Sequence, residues 1–177
     1  APAQTLQKAA ENAFVVTRMV DKIHVEPKPI DKQFAAGLFK TVINGLDESK
    51  IYFTQQDINQ LKKWEAQLDV QVLKMQTGFL SDLLNVYTAR IKQADTMVDN
   101  ICSKPFQFNT NEKYAIADDT TFAADDKAKR DKLYKKIKLE ILDELVEYDS
   151  LELFSPKYAK KLDSIEAAAR KKIKSIL

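Results

Sequence analysis

The chain has 177 residues, with 28 Lys+Arg against 26 Asp+Glu, three Gly, one Cys and one His. The formal charge of +2 is a small remainder of two large sums, so no whole-molecule field draws in nucleic acid or anionic lipid, and the lone Cys102 can neither close an internal disulfide nor join a Cys/His zinc cluster. No apolar run approaches the roughly 18–20 residues that span a bilayer, and the start Ala1-Pro2-Ala3-Gln4 lacks a basic n-region and an apolar h-region. The expectation is a soluble chain, not membrane-spanning, from which any export signal has been removed.

Scarce Gly and abundant Leu, Lys, Ala, Gln and Glu favour helix almost throughout. Leu6, Ala9, Ala13, Val16, Val20 and Ile23 step by threes and fours, which predicts an amphipathic helix over 4–24, ended by Pro27 and Pro29. Asp31 can cap a second helix over 31–45, with a stripe of Phe34, Leu38 and Val42 widened by Phe39 and Ile43. Thr54 and Asp57 are spaced as a capping box at the head of a third, over 54–76, which Gly78 interrupts. The pattern resumes over 79–101 through Leu83, Tyr87, Ile91, Val98 and Ile101, and Pro105 closes it. Helical period is then lost, and Phe106 to Thr110 alternates as a short extended segment would. A fifth helix over 125–148 carries Leu133, Ile137, Ile141 and Leu145. Ser155-Pro156 opens a last one over 155–177 with Tyr158, Leu162, Ile165, Ala169, Ile173 and Ile176. The fold expected is all-α, a single domain built as a bundle of about six helices with one irregular or short extended connection near 102–124.

Chemistry is sparse along this chain. His24 sits at a helix end beside prolines, the position of an exposed capping histidine. Asp118-Asp119 and Asp125-Asp126 could bind a hard cation, but no Gly-bearing Ca²⁺ loop with a closing Glu follows either pair, which favours a solvated loop. Cys102, beside Ser103 and Lys104, ends an apolar stripe and reads as a small buried hydrophobe. Gly37, Gly45 and Gly78 are too far apart to cradle phosphate. Lys135-Lys136, Lys160-Lys161 and Arg170-Lys171-Lys172 alternate with Glu140, Asp143, Glu144, Glu147, Asp163 and Glu166, the pattern of a solvated face rather than a nucleic-acid stripe. Phe14, Phe34, Phe39, Tyr52, Phe53, Trp64 and Phe79 are expected in the core. No catalytic, cofactor-binding or metal residue is assigned, and no cofactor is expected.

The stretch Leu46 to Ile58, reading Leu-Asp-Glu-Ser-Lys-Ile-Tyr-Phe-Thr-Gln-Gln-Asp-Ile, resembles a signature of the N-terminal helical domain of the tail-specific proteases, the C-terminal processing peptidases. Phe106 to Tyr114 is similar to that family's Phe-x-Phe-Thr…Glu-x-Tyr segment, and Leu133 to Leu142 to its Leu-Trp helix. The three occur in the family's order over nearly the whole chain, although residues 115–124 lack the family's Pro-Trp-Pro. The resemblance implies a noncatalytic N-terminal domain of a periplasmic serine endopeptidase, whose PDZ domain, nucleophilic Ser and Lys base lie after the matching segment. It also implies a scaffold that restricts access to unfolded tails. The implied partners are the PDZ and protease domains of the same parent chain, and unfolded protein substrates or an envelope adaptor. Tyr52, Phe53, Thr54 and Asp57 read as structural, and the binding residues are left unassigned. The alternative is a freestanding helical interaction module or chaperone that grips partners with an exposed part of its apolar stripe.

Overall fold

The computed structural model describes residues 2–23, 29–114, 120–148 and 159–175. Within them the chain forms α1 (Pro2–Ile23), α2 (Lys32–Leu46), α3 (Gln55–Leu61), α4 (Leu68–Leu73), α5 (Gly78–Ile101), α6 (Asp126–Tyr148) and α7 (Ala159–Lys174). The fold is all-α. Among the described residues the extended pairing is an isolated parallel bridge between Thr54 and Ala123. Phe106 to Thr110, expected to be extended, is irregular instead. The expected stops and starts at Pro27, Ser155 and Pro156, with His24, Tyr158 and Ile176, lie outside the described residues.

Contacts gather the chain into two compact units, Ala1–Glu48 with Gln55–Thr88, and Ser49–Thr54 with Ala89–Leu177. In the first, Asp31 is extended and its carboxylate accepts the Phe34 N–H at 2.9 Å, so the expected cap starts α2. Helix α2 buries Ala35, Phe39 and Ile43, and the Phe39 ring meets Phe79 with centroids 5.8 Å apart. Ala10 and Phe14 of α1 pack with Val72, flanked by Phe34, Leu38 and Leu80. This corrects the face expected for α1. Ala9, Ala13, Val16, Val20 and Ile23 are exposed, because the row one residue along carries the one aromatic side chain, Phe14, that can fill the space beside Val72.

The single helix expected over 54–76 is also corrected. It is α3, then a 3₁₀ stretch over Lys62–Gln67, then α4. Lys32 donates to the Ala66 carbonyl at 2.7 Å, a partner from outside the helix that competes with the i→i+4 ladder. Trp64 donates its indole N–H to Asp82 at 2.9 Å. Helix α4 then closes in a Schellman motif, with Met75 at φ 56° donating to the Val72 carbonyl and Gln76 to that of Gln71. Met75 thus occupies the left-handed position that glycine usually fills, ahead of the glycine expected to stop the helix. The Gln71 side chain accepts the Phe79 N–H at 3.1 Å and so caps α5.

In the second unit, Leu133, Ile137, Ile141 and Leu145 of α6 form a buried row against Val98, Ile101, Ala169 and Ile173. Tyr134 and Phe108 flank Phe106, with ring centroids 5.2 and 6.5 Å away.

A Cβ built on Gly78 would stand 2.8 Å from the Trp64 ring, whereas one on Gly37, on the exposed side of α2, meets nothing within 4 Å. Thermal melts should therefore show opposite signs, with Gly78→Ala losing about 1–3 kcal/mol by overpacking and Gly37→Ala gaining about 0.5–1 kcal/mol of helix preference. Lys32 also holds the Asp69 carboxyl below the usual carboxylate range by its 2.9 Å hydrogen bond. A depressed native value contributes stability that is whole above the unfolded value and is lost as the pH falls below about 4. Asp69→Asn should shrink the difference between urea midpoints at about pH 6 and about pH 3, and an undiminished difference would count against this pair.

Candidate functional site

Residues 49–54 are too short to satisfy their own backbone, and a buried carbonyl without a partner is costly. Helix α6 supplies the partners. Lys129, whose side chain is 0% exposed, donates from Nζ to the Tyr52 carbonyl at 3.0 Å and to the Gln93 side chain. One turn on, Lys132 donates to the carbonyls of Lys50 at 3.2 Å and Thr121 at 3.0 Å. Lys50 itself takes a left-handed φ of 54°, and its ammonium lies 4.8 Å from the Phe122 ring centroid. Phe53, fully buried, meets Phe122 edge-on. The Tyr-Phe-Thr of the signature is therefore seated on α6 and on residues 121–123, the structural role expected for these residues.

The carboxylates around this seat are also engaged. Asp125 caps α6 by accepting the Ala128 N–H at 2.8 Å, and Asp126 accepts from Arg90 at 2.6 Å and Gln93 at 2.7 Å. The pair reads as cap and ion pair rather than as a cation site, while Asp118-Asp119 lie outside the described residues. Among the described residues no group of three His, Cys, Asp or Glu side chains is placed to hold a metal.

A second clip fixes the chain after α5. Glu166 of α7, 4% exposed, accepts the Phe106 N–H at 3.0 Å, and Arg170 donates to the Cys102 carbonyl at 3.0 Å and to Glu166 at 3.2 Å. Cys102 is buried as expected, and desolvation pushes its thiol pKa up, so it is not an activated nucleophile. On the far side of the Phe-x-Phe segment, Lys138 bonds Glu112 and Thr110 and holds the Glu112 carboxyl below its usual range. The expected solvated face holds for Lys135 with Asp131 and Lys172 with Glu144.

Two of the open surfaces among the described residues bear on function. One is the exposed row of α1, where Val16 is 59%, Val20 51% and Ile23 73% exposed. The other is a groove of about 650 Å³ beside the Phe106 segment, floored by Phe106 and Tyr134 and walled by α6. No helix among the described residues is long and apolar enough to cross a membrane.

The sequence left Lys129 and Lys132 unassigned and placed Glu166 and Arg170 on a solvated face, which the structure corrects, since both side chains are turned inward to hold backbone groups; two of the four carried a signal. Lys129 is four residues before Leu133, on the row Leu133, Ile137, Ile141, Leu145. Glu166 lies on the row Leu162, Ala169, Ile173. A charge on an apolar row is a buried charge with a partner to be found.

The geometry defines a helical domain whose buried cations grip backbone carbonyls. The chain belongs to the tail specific protease N-terminal domain family, whose profile matches residues 15–177. No curated protein sequence matches it.

Replacing Lys129 by Met keeps the bulk but removes the buried donor to the Tyr52 carbonyl and the Gln93 side chain, and should cost about 2–4 kcal/mol in denaturant unfolding. Lys127→Met, two residues away and exposed, should stay within about 0.5 kcal/mol.

Proposed function

We propose that residues 1–177 act as one noncatalytic N-terminal domain of a periplasmic serine endopeptidase that degrades or trims proteins from their C-terminal tails. In this role the domain is a scaffold that restricts access to unfolded tails and offers contact surfaces, while a PDZ domain of the same parent chain captures the tail and a Ser with a Lys base cleaves it. Family membership supports the protease context. The observation that carries the contact role is the exposed row Val16, Met19, Val20 and Ile23, four large apolar side chains in water on one helix. An envelope adaptor or another domain of the parent enzyme is the occupant this reading assigns to it. The same row also favours, as a second reading, a freestanding module that grips partners.

Deleting residues 1–177 from the parent enzyme should relax its preference for unfolded tails, so that folded proteins with the same tail are also cut. In the intact enzyme, Val16→Asp with Val20→Asp should leave the helix content unchanged and weaken partner capture. Unchanged selectivity in the deletion together with unchanged capture by the double variant would overturn the proposal.

A further inference from the structure

The groove beside Phe106 has an unbalanced charge. Lys104, Lys127 and Arg130 line it, all exposed, and no hydrogen bond or ion pair engages them among the described residues. The two carboxylates of the same lining are taken, Glu112 by Lys138 and Asp131 by Lys135. Lys127 and Arg130 also stand in the first turns of α6, at the positive end of the helix dipole, where a cation is disfavoured. The carboxylates beside them on α6 are engaged elsewhere, Asp125 as the cap and Asp126 with Arg90 and Gln93. Two exposed cations set against the helix dipole beside a third, none with a partner among the described residues, depart from the usual pairing of surface charge, and such departures concentrate at functional sites.

We infer that this groove docks an extended acidic peptide. Its volume of about 650 Å³ lies inside the usual range for ligand pockets, roughly 300–1,000 Å³. Arg130 presents a fork that fits a carboxylate, and the two lysines add point charges. Tyr134 and Phe106 offer ring surface for an apolar side chain between the acids, and the amides of Asn100 and Gln107 can pair with peptide backbone. A polyphosphate chain fits less well. Glu112 and Asp131 interrupt the wall with negative charge, and the chain as a whole carries only +2, so the broad single-sign patch that nucleic acid or anionic lipid needs is missing.

The probe is a fluorescein-labelled peptide in which Glu alternates with Phe, titrated with the 177-residue chain and read by anisotropy. Binding should weaken about tenfold when the Glu residues become Gln, and by a similar factor in Lys127→Glu with Arg130→Glu. Lys62→Glu, an exposed charge in the other unit, should bind as the parent does. Circular dichroism melts establish that the double variant folds, and the milder Lys127→Gln with Arg130→Gln should weaken binding in the same direction. No measurable binding, equal binding of the Gln peptide, or equal binding by the folded double variant overturns the inference. A single-stranded oligonucleotide that outcompetes the peptide would also overturn it, in favour of nucleic acid. The groove is a different surface from the α1 row and is read on the chain itself, so its failure and that of the protease role are separable.

Discussion

Residues 49–54 must bury a stretch of backbone that makes neither helix nor sheet ladder, and that requirement shapes everything around them. A carbonyl in this position needs a donor that can reach it from a neighbouring element. Lysine suits the task because its flexible stem carries three donors, and at Lys129 they converge on Tyr52 and Gln93 with Asp126 within 3.7 Å. The buried ammonium would be costly alone. It is offset by a closed set of bonds in which Arg90 and Gln93 both reach Asp126 and Arg90 also reaches Gln93. The left-handed backbone of Lys50, which costs on the order of 1–3 kcal/mol for a residue with a side chain, is held in place by the Lys132 bond to its carbonyl.

The clip after α5 follows the same logic with an anion added beside the cation. There the irregular backbone presents both an N–H at Phe106 and a carbonyl at Cys102, so one anion and one cation on α7 are required, and Glu166 and Arg170, one turn apart, also pair with each other. Both irregular segments are therefore defined by side chains on long regular helices. The helices α6 and α7 act as rulers against which the loops are set.

This division explains what the sequence could and could not reveal. The ends of α2 and the core row of α6 were legible because capping chemistry and apolar period are local, whereas the cap of α5, supplied by Gln71 from the preceding helix, was not. The break of the third helix was not, because the interactions that favour it, Lys32 to Ala66 and Trp64 to Asp82, join residues 34 and 18 apart in sequence. For α1 the period was right and the face wrong. Apolar spacing alone cannot choose between two adjacent rows when only one of them, with Ala10 and Phe14, has a partner surface. The family signature was legible as a string of residues, but its meaning as a seated backbone lay in Lys129 and Lys132, some 80 residues away. The groove was invisible for the same reason, since basic residues that alternate with acidic ones look alike whether or not each has found a partner.

The start of α6 joins these threads. Lys127 and Arg130 are three apart, as are Lys129 and Lys132, and a step of two residues turns a helix by about 200°. The two pairs therefore lie on nearly opposite faces of the same first turns. One pair is buried and satisfied by the carbonyls of the seated segment, and the other is exposed with no partner among the described residues. Four cations at the positive end of a helix is a composition that helix stability alone would disfavour. The inner pair accounts for half of it by structure. The outer pair, on the groove wall, is the half for which the inferred acidic peptide accounts.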